Sequence, residues 1–390
     1  MTPDRTRKKA SHSAKTSCLA KYGLKILCQC SSQDGKFRMK RKRFFIVSFC
    51  AALLVVGILI TTLRPQRQVL YRVTYLPSLG EEFFLPCSIN DRGQIAGFSK
   101  VLEGTYHLFL WDRENELQDL GPVNNSVHIN NAGQIAATVR DPNGHERAFI
   151  WDPNNGRCIL PTLGGENATA HGINNHGQVV GAAETASGVL HAFAWDAISG
   201  MRDLTASSTG QTRAWSINDA GQVVVFAPGP PLLVDANEGA TSISQPIPVR
   251  GLLEINSNGY VAGLVQAGPG KYDIVIWHPD SGQKKLVQLY ANASSKPNIN
   301  DVNQVLLTKG RQAKVRLFGR TLFSTHVENY LHDPKRGWLS LNGYVSVGPY
   351  EDLCLTDLNN KGCIVGVVQS TKDSPRRGVL LEPIPEQWDK

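Results

Sequence analysis

The sequence predicts an all-β fold: a seven-bladed β-propeller closed by an N-terminal strand and preceded by one transmembrane helix. Three observations predict it. A short phrase, Ile-Asn-x-x-Gly-Gln followed by an apolar run, occurs four times intact and three times with one or two changes, at spacings of 40, 44, 44, 38, 44 and 59 residues. A second phrase, an apolar-aromatic run ending in Trp, falls between successive copies of the first. An uncharged run of 20 residues, Phe44 to Leu63, precedes them all.

The first phrase opens at Ile89-Asn90, Ile129-Asn130, Ile173-Asn174, Ile217-Asn218, Ile255-Asn256, Ile299-Asn300 and Leu358-Asn359. Asn-x-x-Gly between two apolar runs reads as a hairpin turn, in which Asn bonds its own backbone and Gly takes the left-handed position. The sixth copy carries Asn303 at the Gly position, and Asn is the next most tolerant residue there. The second phrase appears as Phe109-Leu110-Trp111-Asp112, Phe149-Ile150-Trp151-Asp152, Phe193-Ala194-Trp195-Asp196 and Val275-Ile276-Trp277-His278. Its alternate residues project to one side of a strand, which places Trp195 and its counterparts between blades. With the segments on either side, each unit offers four strands in about 40 residues, the arithmetic of a propeller blade. Residues 310–328 account for the 59-residue spacing as an inserted loop or hairpin. The last unit ends near Pro383 with three strands, and residues 69–80 have the pattern of the fourth, which closes the ring.

The organisation has three parts: a basic tail at 1–43, a transmembrane helix at 44–63, and the repeat domain at 64–390. At 1.5 Å per residue the uncharged run spans roughly 30 Å, the thickness of the bilayer hydrocarbon. Lys40-Arg41-Lys42-Arg43 abuts it and keeps the N-terminal side in the cytoplasm, so the repeats lie in the periplasm or outside the cell. A cleaved signal peptide starting at Met39 is the rival reading, but no A-x-A site follows the run. Residues 1–43 hold 13 Lys and Arg against Asp4 and Asp34. From Arg64 onward 28 basic face 31 acidic residues, a net of −3, so the repeat domain lacks the electrostatic footprint of a nucleic-acid binder. Four of the eight cysteines, Cys87, Cys158, Cys354 and Cys363, lie in the repeat domain, too few for a disulfide scaffold of that length.

These two phrases in fixed order resemble the bacterial HAF-type extracellular repeat family, whose His-Ala-Phe stands here as His191-Ala192-Phe193. The resemblance covers residues 70–383. It implies an exported bacterial propeller, and it brings no activity and no functional residue with it.

Enzyme signatures are absent: there is no H-E-x-x-H, G-x-S-x-G, P-loop or EF-hand loop. The sequence implies no cofactor and no metal. His107 and His191 share a position held by Arg147 and Asp273 in other units, which marks them as strand-end residues. The residue before each Ile-Asn pair is Ser88, His128, Gly172, Ser216, Glu254, Asn298 or Asp357. It faces away from the apolar side of its strand. If that strand is innermost, His128, Glu254 and Asp357 line the central channel and can hold a small polar ligand. The expected function is a membrane-anchored module binding a protein or a glycan at the bacterial envelope, with recognition in the residues that differ between units. The alternative is a propeller hydrolase or lyase that uses the channel carboxylates.

Overall fold

The computed structural model describes residues 70–385, except 81–82, 102–103, 238–242, 247–249, 269–270, 291–296, 318–319, 344, 346–351 and 370–374. The expected helix at 44–63 lies outside the described residues. No helix among the described residues is long and apolar enough to cross a membrane. The chain divides into two units, Met1–Gln66 and Arg67–Lys390, and all described structure belongs to the second.

Among the described residues, twenty-eight strands form seven four-stranded antiparallel sheets. Blade 1 is β2 (Phe84–Ile89), β3 (Ile95–Lys100), β4 (Tyr106–Asp112) and β5 (Glu116–Pro122). Blade 2 is β6 (Asn125–Ile129), β7 (Ile135–Arg140), β8 (Glu146–Asp152) and β9 (Gly156–Ile159); blade 3 is β10 (Gly164–Ile173), β11 (Val179–Thr185), β12 (Leu190–Asp196) and β13 (Gly200–Asp203). Blade 4 is β14 (Arg213–Ile217), β15 (Gln222–Phe226), β16 (Leu232–Asp235) and β17 (Ile243–Pro246); blade 5 is β18 (Arg250–Ile255), β19 (Val261–Gly268), β20 (Lys271–His278) and β21 (Gly282–Tyr290). Blade 6 is β22 (Asn298–Ile299), β23 (Val305–Leu317), β24 (Arg320–Asp333) and β25 (Gly337–Ser340). Blade 7 is β26 (Asp352–Leu358), β27 (Ile364–Gln369) and β28 (Arg377–Pro383), with β1 (Tyr71–Tyr75) paired to β28 in the register Tyr71↔Pro383 to Tyr75↔Val379.

The first strands of successive blades neighbour one another around the ring, and β26 returns to β2. The fold is therefore an all-β, seven-bladed propeller. The 59-residue spacing comes from β23 and β24, which stay paired from Val305↔His332 to Leu317↔Arg320 as one long hairpin.

The core is a set of seams between blades. Ile135 and Phe149 of blade 2 pack with Leu108, Leu110 and Val127, and Phe84 and Phe109 join Val365 and Leu380 across the seam between blades 7 and 1. The Phe of the second phrase is the deep residue: Phe109, Phe149 and Phe193 are each 0% exposed. The Trp two positions on is shallower. Trp111 and Trp277 are buried, but Trp151 and Trp195 are only half-buried. Alternation explains this, because residues i and i+2 share a face, and the later one sits at the strand end where the seam opens to water.

Candidate functional site

Each Ile-Asn phrase ends an innermost strand and turns back into the next one. Asn174 shows the local logic. Its Oδ1 accepts the N–H groups of His176 at 3.1 Å and Gln178 at 3.0 Å, and Gly177 closes the turn at φ +76°. That φ is why Gly recurs; at the sixth turn Asn303 adopts φ +60°.

The amide nitrogen of the same Asn does something the turn does not require. Asn90 Nδ2 donates to the carbonyl of Asn130, Asn130 to Asn174, and Asn174 to Asn218. Asn218 donates to Asn256, Asn256 to Asn300, Asn300 to Asn359, and Asn359 back to Asn90. All seven distances fall between 2.9 and 3.1 Å, and all seven side chains are at most 5% exposed. The phrase therefore carries a closed belt of hydrogen bonds around the channel. Innermost strands are sheet edges with unpaired backbone groups, and the belt is one means of satisfying them.

Gln at the end of the phrase supports the belt. In blades 1, 2, 3, 4 and 6 its Oε1 accepts the second N–H of the Asn amide, at 2.8–2.9 Å. Blade 5 has Tyr260 there, and the missing acceptor comes from the next blade: Asn256 Nδ2 donates to Asn303 Oδ1 at 2.8 Å. The Asn that replaces Gly at the sixth turn thus compensates for the Gln lost from the fifth. Blade 7 has Cys363 at this position, and its sulfur, a weaker acceptor than an amide oxygen, takes the side-chain hydrogen bond of Asn359.

The next residue of each phrase makes a second ring at the rim. Backbone N–H groups of Asp91, Asn131, Asn175, Ser257, Asp301 and Asn360 each donate to the Oδ1 of the following member, at 2.7–2.8 Å. The step from Asp219 is missing from this series because Ser257 lacks an amide or carboxylate oxygen at that reach. These two rings, with the Ile or Leu ahead of each Asn, line the opening on this face. Three carboxylates, Asp91, Asp219 and Asp301, sit in the rim. Asp91 accepts the amides of Asn131 and Asn360, each at 2.9 Å. Among the described residues no three His, Cys, Asp or Glu side chains converge to hold a metal ion.

His128, Glu254 and Asp357, the residues singled out from the sequence, are half-buried one position before this opening, and none is among the residues lining it. Asp357 Oδ2 accepts the N–H of Ile89 in blade 1 at 2.9 Å, and its Oδ1 accepts that of Leu358 at 2.9 Å. Ser88 and Ser216 use the same position to accept the N–H of Ile129 and Ile255, each at 3.4 Å. At these blades the position serves blade-to-blade bonding of an edge strand. Sequence reasoning missed the rim; the signal was Asn or Asp directly after the Asn in six of the seven copies.

Two histidines elsewhere are paired within the scaffold. His191 is 7% exposed and holds Asp203 at 2.7 Å, and His107 holds Asp119 at 2.9 Å. The nearby hydroxyls of Thr205 and Thr212 accept the N–H of Ala192 at 3.2 and 2.9 Å. Burial pushes the Cys87 thiol up to about 12, and the Asp357 carboxylate adds to the shift, so this sulfur is no thiolate nucleophile at neutral pH. Asp152, which ends the second phrase, is held below the ordinary carboxylate range by the Gln134 amide at 2.9 Å and by turn N–H groups.

No family model matches the sequence, and no curated protein matches it. Solved structures similar to this chain include TolB from Acinetobacter baumannii, 13% identical over 75% of this chain and 67% of that one, at a TM-score of 0.43. A putative TolB from Agrobacterium tumefaciens is 12% identical over 78% and 91% of the two chains, at 0.39. The WD40 β-propeller domain of Doa1 is 12% identical over 82% and 99%, at 0.40.

Proposed function

We propose that this protein is a binding module without turnover, carried on a single N-terminal helix at 44–63, with the propeller outside the cytoplasm. The observation that carries the reading is the division of labour between the two faces. The turn face repeats the belt Asn in every blade, with few departures around it, and commits these polar groups to holding the ring. The opposite face is built from connections that differ in length and composition, such as 141–145, 186–189 and 204–212. Variable loops on a rigid frame are how such scaffolds present recognition surfaces. The partner is a protein or a glycan at the bacterial envelope, where the HAF-type resemblance to exported propellers would put the domain, and the slightly acidic repeat domain disfavours nucleic acid. In this reading β1 is the clasp of the ring: it is contributed from the N-terminal end and completes a blade whose other strands come from the C-terminal end.

The full-length chain, screened against glycosidase, esterase, lactonase and lyase substrates, is expected to release no product. Turnover abolished by Asp91→Asn or Asp301→Asn, with the unfolding midpoint unchanged, would overturn the reading in favour of a rim-carboxylate enzyme. For the topology, a periplasm-dependent reporter fused after Lys390 is expected to be active, and activity confined to a cytoplasmic reporter refutes the placement.

A further inference from the structure

The loop face of blade 1 differs from its counterparts. There Phe83 and Phe98 stack with ring centroids 5.8 Å apart, and Tyr106 meets both rings edge-on at 5.6 and 5.7 Å. The register Leu85↔Phe98↔Leu108 explains the convergence, because residues two positions from Leu85 and Leu108 share the Phe98 side of the sheet. Arg376, just ahead of β28 in blade 7, brings its guanidinium to 5.0 Å from the Phe83 centroid. Tyr106 is 38% exposed, Phe83 and Phe98 are half-buried, and Arg376 is exposed.

The repeats supply an internal control. The place of Phe98 is taken by Thr138 in blade 2, Ala182 in blade 3 and Phe226 in blade 4, and that of Tyr106 by Glu146 in blade 2, Leu190 in blade 3 and Tyr272 in blade 5; blade 1 has aromatic residues at both. Blades 2 and 3 therefore fold without aromatic residues at these positions; Phe98 also packs against the seam between blades 1 and 2, while Tyr106 stays exposed. Exposed aromatic rings beside an arginine are the composition of a recognition site.

The size of the patch selects its occupant. A stable protein interface covers about 800 Å² per partner, far more than three partly covered rings offer. Centroids within 6 Å of one another match the footprint of one six-membered ring. A ligand that fits needs an apolar ring face for Tyr106 and Phe83 and hydroxyl oxygens at its edge for the guanidinium, which has five N–H donors and no acceptor. A pyranose has both. We propose that Phe83, Phe98, Tyr106 and Arg376 form a saccharide subsite that takes one pyranose ring of a glycan. This inference rests on the binding-module reading and names its ligand class.

The test immobilises the full-length chain and measures its affinity for a panel of methyl pyranosides and short oligosaccharides. At least one is expected to bind, with affinity falling tenfold or more in Tyr106→Ala and in Arg376→Ala and staying within about twofold in Tyr106→Phe, which keeps the ring. Unchanged unfolding midpoints in the alanine variants separate lost contacts from lost folding. Binding that ignores all these substitutions, or no binding to any saccharide by the wild-type chain, overturns the subsite and leaves the binding-module reading standing. Cleavage of a bound oligosaccharide by the wild-type chain overturns both.

Discussion

Replacing Asn174 separates the two jobs that one side chain performs. Its oxygen closes the local turn through His176 and Gln178, and its amide nitrogen donates to Gln178 Oε1 at 2.8 Å and to the Asn218 carbonyl of the next blade at 3.0 Å. Four bonds at a net of about 1 kcal/mol each set the scale for Asn174→Ala at roughly 4 kcal/mol. The orphaned Asn218 carbonyl still accepts the Gly221 N–H at 3.1 Å, which lowers the expected loss to about 3 kcal/mol. Asn174→Asp keeps both acceptor roles and deletes both donors, so the turn survives while the belt breaks. It also sets a carboxylate against two oxygen acceptors, and its cost at neutral pH should equal or exceed that of alanine. Asn175→Ala is the control: this neighbour also bonds across the ring but is exposed, and its cost should stay at or below about 1 kcal/mol. The assay is urea unfolding of the full-length chain followed by far-ultraviolet circular dichroism. An aspartate variant as stable as wild type, or an alanine cost at position 174 no larger than at 175, would refute the belt as a stabilising element.

Phe193→Ala should cost about 3–5 kcal/mol, and Trp195→Ala distinctly less, because the Phe is fully buried and the Trp is not; equal losses in denaturant titration would contradict this. Cys363→Gln should raise stability by up to about 1 kcal/mol by replacing a weak sulfur acceptor for Asn359 with the amide oxygen the other blades use, and a lower unfolding midpoint would count against it. Acid should loosen the turn face. Asp152 has its folded-state pKa lowered by the Gln134 amide, and Asp112, Asp196 and Asp333 are lowered by turn N–H groups and side-chain donors that outweigh the upward push of burial. A depressed carboxylate contributes stability above its unfolded-state value, about 3.9, and loses it as pH falls through the lower folded-state value. Asp152→Asn should therefore flatten the acid limb of a stability–pH curve, and an unaltered limb would show that Asp152 does not contribute to it.

The blade architecture was legible because it is local. Asn-x-x-Gly dictates a turn, the apolar run after it a buried strand, and the recurrence at 38–59 residues a ring of similar units. The rest depended on neighbours that no single phrase contains. Asn90 reads as a turn residue, and its donation to Asn130 becomes visible only when two copies stand side by side. Asp357 reads as a carboxylate on a channel wall, and its bond to the Ile89 N–H from the far end of the chain is visible only in the closed ring. Asn303 was legible as a tolerated stand-in for Gly, but its service to Asn256 was not, since the compensated defect is Tyr260, one blade earlier. Trp195 reads as a residue between blades and packs there, but only half-buried, because alternation fixes the side of a strand and not the depth along it.

The asparagine belt has a consequence for how such a molecule can vary over time. Every repeat contributes one amide to the unit ahead and offers one carbonyl to the unit behind, always in the same sense. The coupling is thus indifferent to which copy stands next. A gene that gains or loses a whole unit still encodes a complete set of matching donors and acceptors, whereas one that gains half a unit does not. The joint is modular in the sense of a standard fitting. Loops on the opposite face can then diverge copy by copy without renegotiating the attachment, which is the condition under which blade 1 can gather Phe83, Phe98 and Tyr106 into one cluster.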